Sequence, residues 1–209
     1  AVLGNTPASQ INSSAYDIDV HADNGLVSYQ FALVNIASLC SGAGYNGSWL
    51  GEGSNITGNL SGPGSWKLCV IGRDAAGNEQ LAASATEHTW EYDNTEPTVA
   101  ITSGSSNPTN DGVIAVSVNF NENVSGFAAN DLTVAGGSVS NFTGSNASYS
   151  FDLTPSSAGT LTVDIDAGVA SDSFGNGNQA ASQFSIVYDN EPPSGVSVSI
   201  AGGANYTTS

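Results

Sequence analysis

Tyr92-Asp93-Asn94-Thr95-Glu96-Pro97 recurs as Tyr188-Asp189-Asn190-Glu191-Pro192-Pro193, an offset of 96 residues from Asp93 to Asp189. Each copy follows an alternating run, His88 to Tyr92 and Gln183 to Tyr188, and precedes another, Thr98 to Ile101 and Gly195 to Ile200. A second marker repeats at nearly the same spacing. Asp74-Ala75-Ala76-Gly77-Asn78 returns as Asp172-Ser173-Phe174-Gly175-Asn176, 98 residues later. Two independent markers at one period define a tandem array. A period near 96 residues is too long for a solenoid repeat and is the size of a complete β-sandwich. The repeat divides the chain into residues 1–95, residues 96–191, and residues 192–209 as the start of a third repeat or a tail.

Composition agrees with that division. The 209 residues are enough for two domains of about 100 residues each. Only 10% are charged and Gly is abundant, and no long stretch carries helical periodicity, so short strands and many turns are expected. The charge is lopsided, with 19 acids against Lys67 and Arg73 and a net charge of −17. A nucleic-acid partner is excluded on this basis, because phosphate binding needs clustered cations. Docking on an anionic membrane is disfavoured for the same reason. No hydrophobic run approaches the ~18 residues of a membrane span, so no membrane insertion is expected. No signal peptide is visible and the chain ends inside a strand pattern, which reads as a piece of a longer protein.

Strand patterns run through both halves. In the first, Ala15 to Ala22 alternates Tyr16, Ile18 and Val20 against Asp17, Asp19 and His21. Val27 to Val34 reads as a strand with Val27, Tyr29, Phe31 and Leu33 on one face. A Gly- and Asn-rich excursion, Ser41 to Gly64, precedes a central strand in which Trp66, Leu68 and Val70 face one way and Lys67, Cys69 and Ile71 the other. Ala85 to Tyr92 closes the domain. The second half follows the same plan: Thr98 to Ile101, Val113 to Phe120, Asp131 to Ala135, Ser138 to Phe142, Ser148 to Leu153, Thr160 to Ile165 and Gln183 to Tyr188. Roughly seven strands, with turn signals every 8–12 residues, predict an all-β Greek-key sandwich.

The two cysteines, Cys40 and Cys69, are an even pair in an extracellular-looking β protein, which predicts a disulfide. Two buried free thiols are the other reading. A bridge would pin the Gly-rich excursion to a core strand, and closing that loop is worth roughly 3.5 kcal/mol in the chain-entropy model.

The recurring acids are the main chemical constellation: Asp74, Asp93 and Glu96 in the first module, Asp172, Asp189 and Glu191 in the second. If the Asp-x-x-Gly-Asn turn and the linker reach one end of a domain, hard oxygens gather there. Calcium takes six to eight such ligands, and Asn78, Asn94, Asn176 and Asn190 would add neutral ones. The opposing reading makes Asp-x-x-Gly-Asn an ordinary turn whose Asp accepts local backbone bonds, with Pro97 and Pro192 stiffening a metal-free linker.

No enzymatic signature is found. His21 and His88 read as solvated residues on strand faces, and Asp164 and Asp166 as an outer strand face. No nucleophile elbow or phosphate loop is present. Lys67 is the only lysine, so no intramolecular isopeptide bond forms in the second module. Tyr45 and Trp49 lie in the irregular excursion beside Asn46, Glu52 and Asn55. Exposed aromatics on a polar loop suit a ligand-binding site for a glycan or protein. The alternative is that Trp49 folds back over the sandwich edge.

Residues Asp93 to Pro97, Phe120-Asn121-Glu122-Asn123-Val124-Ser125-Gly126-Phe127, Asp131 to Val134, Asn141-Phe142, Asp172 to Asn176 and Phe184 to Asp189 together resemble the bacterial Ig-like repeats of large secreted surface proteins and adhesins. The first module resembles a sister repeat through Tyr29-Gln30-Phe31, Cys40, Leu68 to Asn78 and Trp90. The resemblance implies two tandem Ig-like Greek-key β-sandwich domains, at the bacterial cell surface or secreted. Such repeats stack as stalks and some carry calcium at their junctions. The implied partners are neighbouring repeats of the same chain, with a host or prey surface glycan or protein as the alternative. The second linker departs from the first by lacking Thr, so its acid and proline move forward.

Overall fold

The computed structural model describes residues 1–21 and 25–195. The strand pattern at Gly195 to Ile200, and most of the 192–209 segment, lie outside the described residues.

The first module is built from β1 (Val2–Gly4), β2 (Gln10–Ile11), β3 (Ala15–His21), β4 (Leu26–Asn35), β5 (Leu50–Gly51), β6 (Asn55–Asn59), β7 (Gly64–Asp74) and β8 (Thr86–Tyr92). One sheet has the order β1-β3-β6 and the other β2-β8-β7-β4-β5. Consecutive strands β3 and β4 lie in opposite sheets, as do β6 and β7, which is the Greek-key crossing. Among the described strands, only β2 runs parallel to its neighbour, β8.

The second module repeats the plan with β9 (Val99–Ser103), β10 (Ile114–Phe120), β11 (Leu132–Ala135), β12 (Gly137–Ser145), β13 (Ser148–Pro155), β14 (Gly159–Ile165) and β15 (Phe184–Tyr188). Its sheets are β12-β13-β10-β9 and β11-β14-β15. Thr109 bridges Tyr188 in parallel, as Ile11 pairs with Tyr92 in the first module. The same residue type therefore receives the same edge contact just before each linker.

Period-two alternation decides which residues face inward. In β10, Ile114, Val116, Val118 and Phe120 are buried and the residues between them exposed. They meet Leu161, Val163, Ile165 and Ile186 from the facing sheet. In the first module Ile18, Val20 and Ile56 pack against Tyr29, Leu68, Val70 and Trp90. The two cores share no residue.

One expected face is shifted. Val27 is 44% exposed, whereas Leu26 and Ser28 are buried. A register shift between Leu26 and Ser28 on β7 causes this. A bulge inserts an extra residue and turns what precedes it to the other face.

Candidate functional site

The repeated turn is the same device in both modules. Asp74 Oδ1 accepts the backbone N–H groups of Ala76 at 2.9 Å and Asn78 at 2.8 Å, and Oδ2 accepts Asn78 Nδ2 at 2.8 Å. Asp172 Oδ1 accepts Phe174 and Asn176 N–H, both at 2.8 Å, and Oδ2 accepts Asn176 Nδ2 at 2.9 Å. Gly77 and Gly175 take φ of 91° and 86°, a region in which a side chain would be strained. Six positions after each Asp, an amide side chain closes the loop. Gly72 N–H donates to Gln80 Oε1, and Gln80 N–H donates to Gly72 O. Ala170 N–H donates to Asn178 Oδ1, and Asn178 N–H donates to Ala170 O. Bonds from the Asn78 side chain and then its backbone hold the Asp74 carboxyl below its usual range.

The surroundings of the two turns differ. Asn78 is exposed, whereas Asp172 is 6% and Asn176 8% exposed. The linker lies against the second turn. Asn176 Nδ2 donates to Asp93 O at 3.0 Å, and Gln179 N–H donates to Pro97 O at 2.8 Å. Pro97 is buried, and Thr98 N–H donates to Asn121 Oδ1 at 2.7 Å. From the other side, Asp93 N–H donates to Ile11 O at 3.1 Å. Asn12 Nδ2 lies 3.5 Å from where a Cβ on Gly175 would be. The backbone of Asp93 is thus bonded to both modules.

The predicted acids are brought together in an unexpected combination. β7 and β8 are antiparallel, with Gly64 opposite Tyr92. Asp74, at the far end of β7, therefore lies about 33 Å from Asp93 at ~3.3 Å per residue. The set Asp74, Asp93 and Glu96 does not assemble at one end. The same antiparallel pairing of β14 and β15 separates Asp172 from Asp189 and Glu191. Instead Asp172 of the second module is linked to Asp93 of the linker entering it through one side chain, Asn176 Nδ2, which donates to Asp172 Oδ2 and to Asp93 O. Glu96, Asp189 and Glu191 are exposed. Asp93 and Asp189 each cap their own linker, accepting Thr95 N–H at 2.8 Å and Glu191 N–H at 3.0 Å.

Sequence reasoning missed Glu122, which follows β10 at this joint. Burial first, then the charges of Asp172 and Asp93, push its carboxyl above the usual range. Three acids of distant sequence position therefore share one half-buried place. Among the described residues, only Cys40, Cys69 and Glu87 bring three His, Cys, Asp or Glu ligand atoms within 4.8 Å of one another. Cys40 and Cys69 form a disulfide with Cα atoms 5.7 Å apart, so neither sulfur is a thiolate ligand. Glu87 Oε1 approaches Cys40 Sγ at 3.0 Å, but a half-cystine has no proton to donate. The other Glu87 oxygen pairs with Lys67 Nζ at 3.4 Å.

The disulfide holds the 3-10 turn Cys40–Gly42 on the outer face of β7. Further on, Asn46 is tied to β4 by Asn46 N–H to Phe31 O and Phe31 N–H to Asn46 Oδ1. Tyr45 is half-buried and its hydroxyl donates to Cys40 O at 3.3 Å. Burial, then Glu87, raises its pKa. The Arg73 guanidinium lies 4.5 Å from the centre of the half-buried Trp49 ring. Trp49 therefore folds against the sandwich edge.

His88 and Asp164 are held in structural contacts. His88, expected on a solvated face, stacks on Trp90 at 5.6 Å between centroids, and its Nε2 lies 3.0 Å from Pro7 O. Asp164 accepts two bonds from Gln183 Nε2.

Residues 93–188 match the family model described as bacterial Ig-like domain. The match begins at Asp93, in keeping with a linker packed on the second module. In structure the chain is similar to the fibronectin(III)-like modules of Clostridium thermocellum CbhA, at TM-score 0.33 and 13% identity over 90% of this chain and 93% of that one. It is also similar to the D0-D1 domain of intimin, at TM-score 0.25 and 12% identity over 85% of this chain and 94% of that one. No curated protein matches the chain.

Proposed function

We propose that this chain is a non-enzymatic tandem Ig-like module of a bacterial cell-surface or secreted adhesin-type protein, acting as a stalk or spacer. The observation that carries this reading is the double hold on Asp93, by Ile11 O on one side and Asn176 Nδ2 on the other. A spacer has to transmit position from one module to the next, and a residue bonded to both restricts bending at that point. The pairing of Trp49 with Arg73 favours the spacer over a binding head built on Tyr45 and Trp49. Small-angle scattering of the chain and of Asn176→Ala tests the spacer. An extended particle whose maximum dimension shortens or spreads in the variant supports it. A collapsed globule in both sinks it. A glycan array checks the binding head: binding that disappears in Trp49→Ala while the fold persists would establish it.

We further propose a structural calcium ion at the joint. Asp93, Glu122 and Asp172 would hold it. Hard carboxylate oxygens suit calcium; burial first and then the charges of Asp172 and Asp93 lift Glu122, and a divalent cation would offset both. The side chains would have to draw together, since their oxygens do not already lie within 4.8 Å of one another. Calcium bound only to the folded state raises the melting temperature by mass action. Identical melting in calcium and in EDTA would reject the ion.

A further inference from the structure

The first module carries the same turn that holds the linker in the second, and among the described residues no linker segment is bonded to it. In the bonds that close the turn, Asp74, Asn78 and Gln80 repeat Asp172, Asn176 and Asn178. The backbone bridge Arg73 to Glu79 repeats Ser171 to Gly177. In the second module the two groups that grip the linker are Asn176 Nδ2 and the N–H of Gln179. Their counterparts are Asn78 Nδ2, whose described bond is the internal one to Asp74, and the N–H of Leu81, a residue 75% exposed. Beside Asn78, and ending one residue short of Leu81, lies a cleft of about 230 Å³ lined by Ala1, Gly72, Arg73, Asp74, Asn78 and Gln80. Ala1 leads into β1 on the wall of this cleft, as Pro97 leads into β9 against the buried second turn.

From this internal repeat we infer that the cleft is a docking site for an extended linker of the Tyr-Asp-Asn-Thr-Glu-Pro kind, entering ahead of Ala1 from a preceding Ig-like module of the same polypeptide. Its Asp carbonyl would accept Asn78 Nδ2, and its Pro carbonyl would accept Leu81 N–H. The bonds are those already made at the second turn, so the occupant is defined by main-chain carbonyls in an extended segment. The inference rests on the spacer reading and extends it: each module presents a turn to receive the previous linker and sends a linker to the next turn.

The test adds Tyr-Asp-Asn-Thr-Glu-Pro directly before Ala1, with no, one or two Gly spacers, and follows amide hydrogen exchange by NMR. The expected result is at least tenfold slower exchange at Leu81 with the matching spacer length. That protection should disappear in Asn78→Ala. Unchanged exchange at every spacer length overturns the inference, and so does protection that survives Asn78→Ala. Protection that appears without the added segment and grows with protein concentration also overturns it, because the donor would then be the 188–193 linker of a second copy. Scattering of Asn176→Ala is read in parallel. A joint that loosens there while Leu81 remains unprotected removes the docking site and leaves the spacer intact. A joint indifferent to Asn176→Ala removes the spacer itself.

Discussion

Asn176 donates its side-chain amide to the carbonyl of Asp93 at 3.0 Å, across 83 residues of sequence. The same amide donates to Asp172 Oδ2 at 2.9 Å, and Asn176 is 8% exposed. One side chain thus closes its own turn and fastens the linker onto it. Asn176→Ala leaves a half-buried carbonyl and a buried carboxylate short of a donor, which costs about 1–3 kcal/mol. Asn78→Ala, in the exposed copy of the turn, should cost clearly less. Urea denaturation of both variants checks this, and equal losses would contradict the role given to burial.

Glu122 makes stability depend on pH in a defined sense. Its folded-state pKa is raised, so its contribution is fully present below its unfolded pKa and is lost as pH rises through the folded value. At neutral pH the charged side chain opposes folding. Glu122→Gln should therefore raise the melting temperature at pH 7 in EDTA and leave it little changed in acid. Asp74 works in the opposite direction. Its lowered pKa gives stability above its unfolded value that is lost as pH falls through the folded one. If calcium binds the joint, Glu122→Gln should lower the melting temperature in calcium while raising it in EDTA. A decrease in EDTA would contradict the cost given to the charged Glu122 side chain.

Reduction of Cys40–Cys69 should affect one module only. The disulfide closes a loop of sequence separation 29, worth roughly 3.5 kcal/mol by loop entropy. The cores share no residue, so calorimetry should resolve two transitions. Cys40→Ala with Cys69→Ala should lower the first module's transition and leave the second in place. A single transition that moves as a whole would show the modules to be energetically coupled.

Phe127 is the hub of an aromatic cluster in the second core. Its ring lies 5.4 Å from Phe120, 5.7 Å from Phe142 and 5.0 Å from Tyr149, in edge-to-face arrangements. Phe127→Ala should destabilise the second module by about 3–5 kcal/mol. Residue-specific hydrogen exchange should show the loss in β10 and β13 and none in β7. A loss below ~1 kcal/mol would mean the core relaxes into the space.

The sandwich was largely legible because alternation reports burial directly. Ile114, Val116, Val118 and Phe120 face the core as their spacing requires. Val27 escaped because a bulge breaks the period without marking the sequence. The repeated motifs located both turns and both linkers, but not which turn meets which linker. Antiparallel β7 and β8 send Asp74 and Asp93 to opposite ends, so the acids linked at the joint belong to successive modules. Glu122 and Asn12 escaped for the same reason. Each reaches the joint through tertiary packing, and no local pattern records that.

The hold on the linker acts through main-chain atoms: Asp93 N–H and C=O, and Pro97 C=O. The side chains of Asn94, Thr95 and Glu96 are exposed. Such a coupling selects backbone course rather than residue identity, as a hinge pin accepts any rod of the right gauge. Linker sequences can therefore drift while the geometry of the joint is kept. The shortened Asp-Asn-Glu-Pro-Pro copy, which retains the Asp cap through Glu191 N–H to Asp189 Oδ1, is drift of that kind.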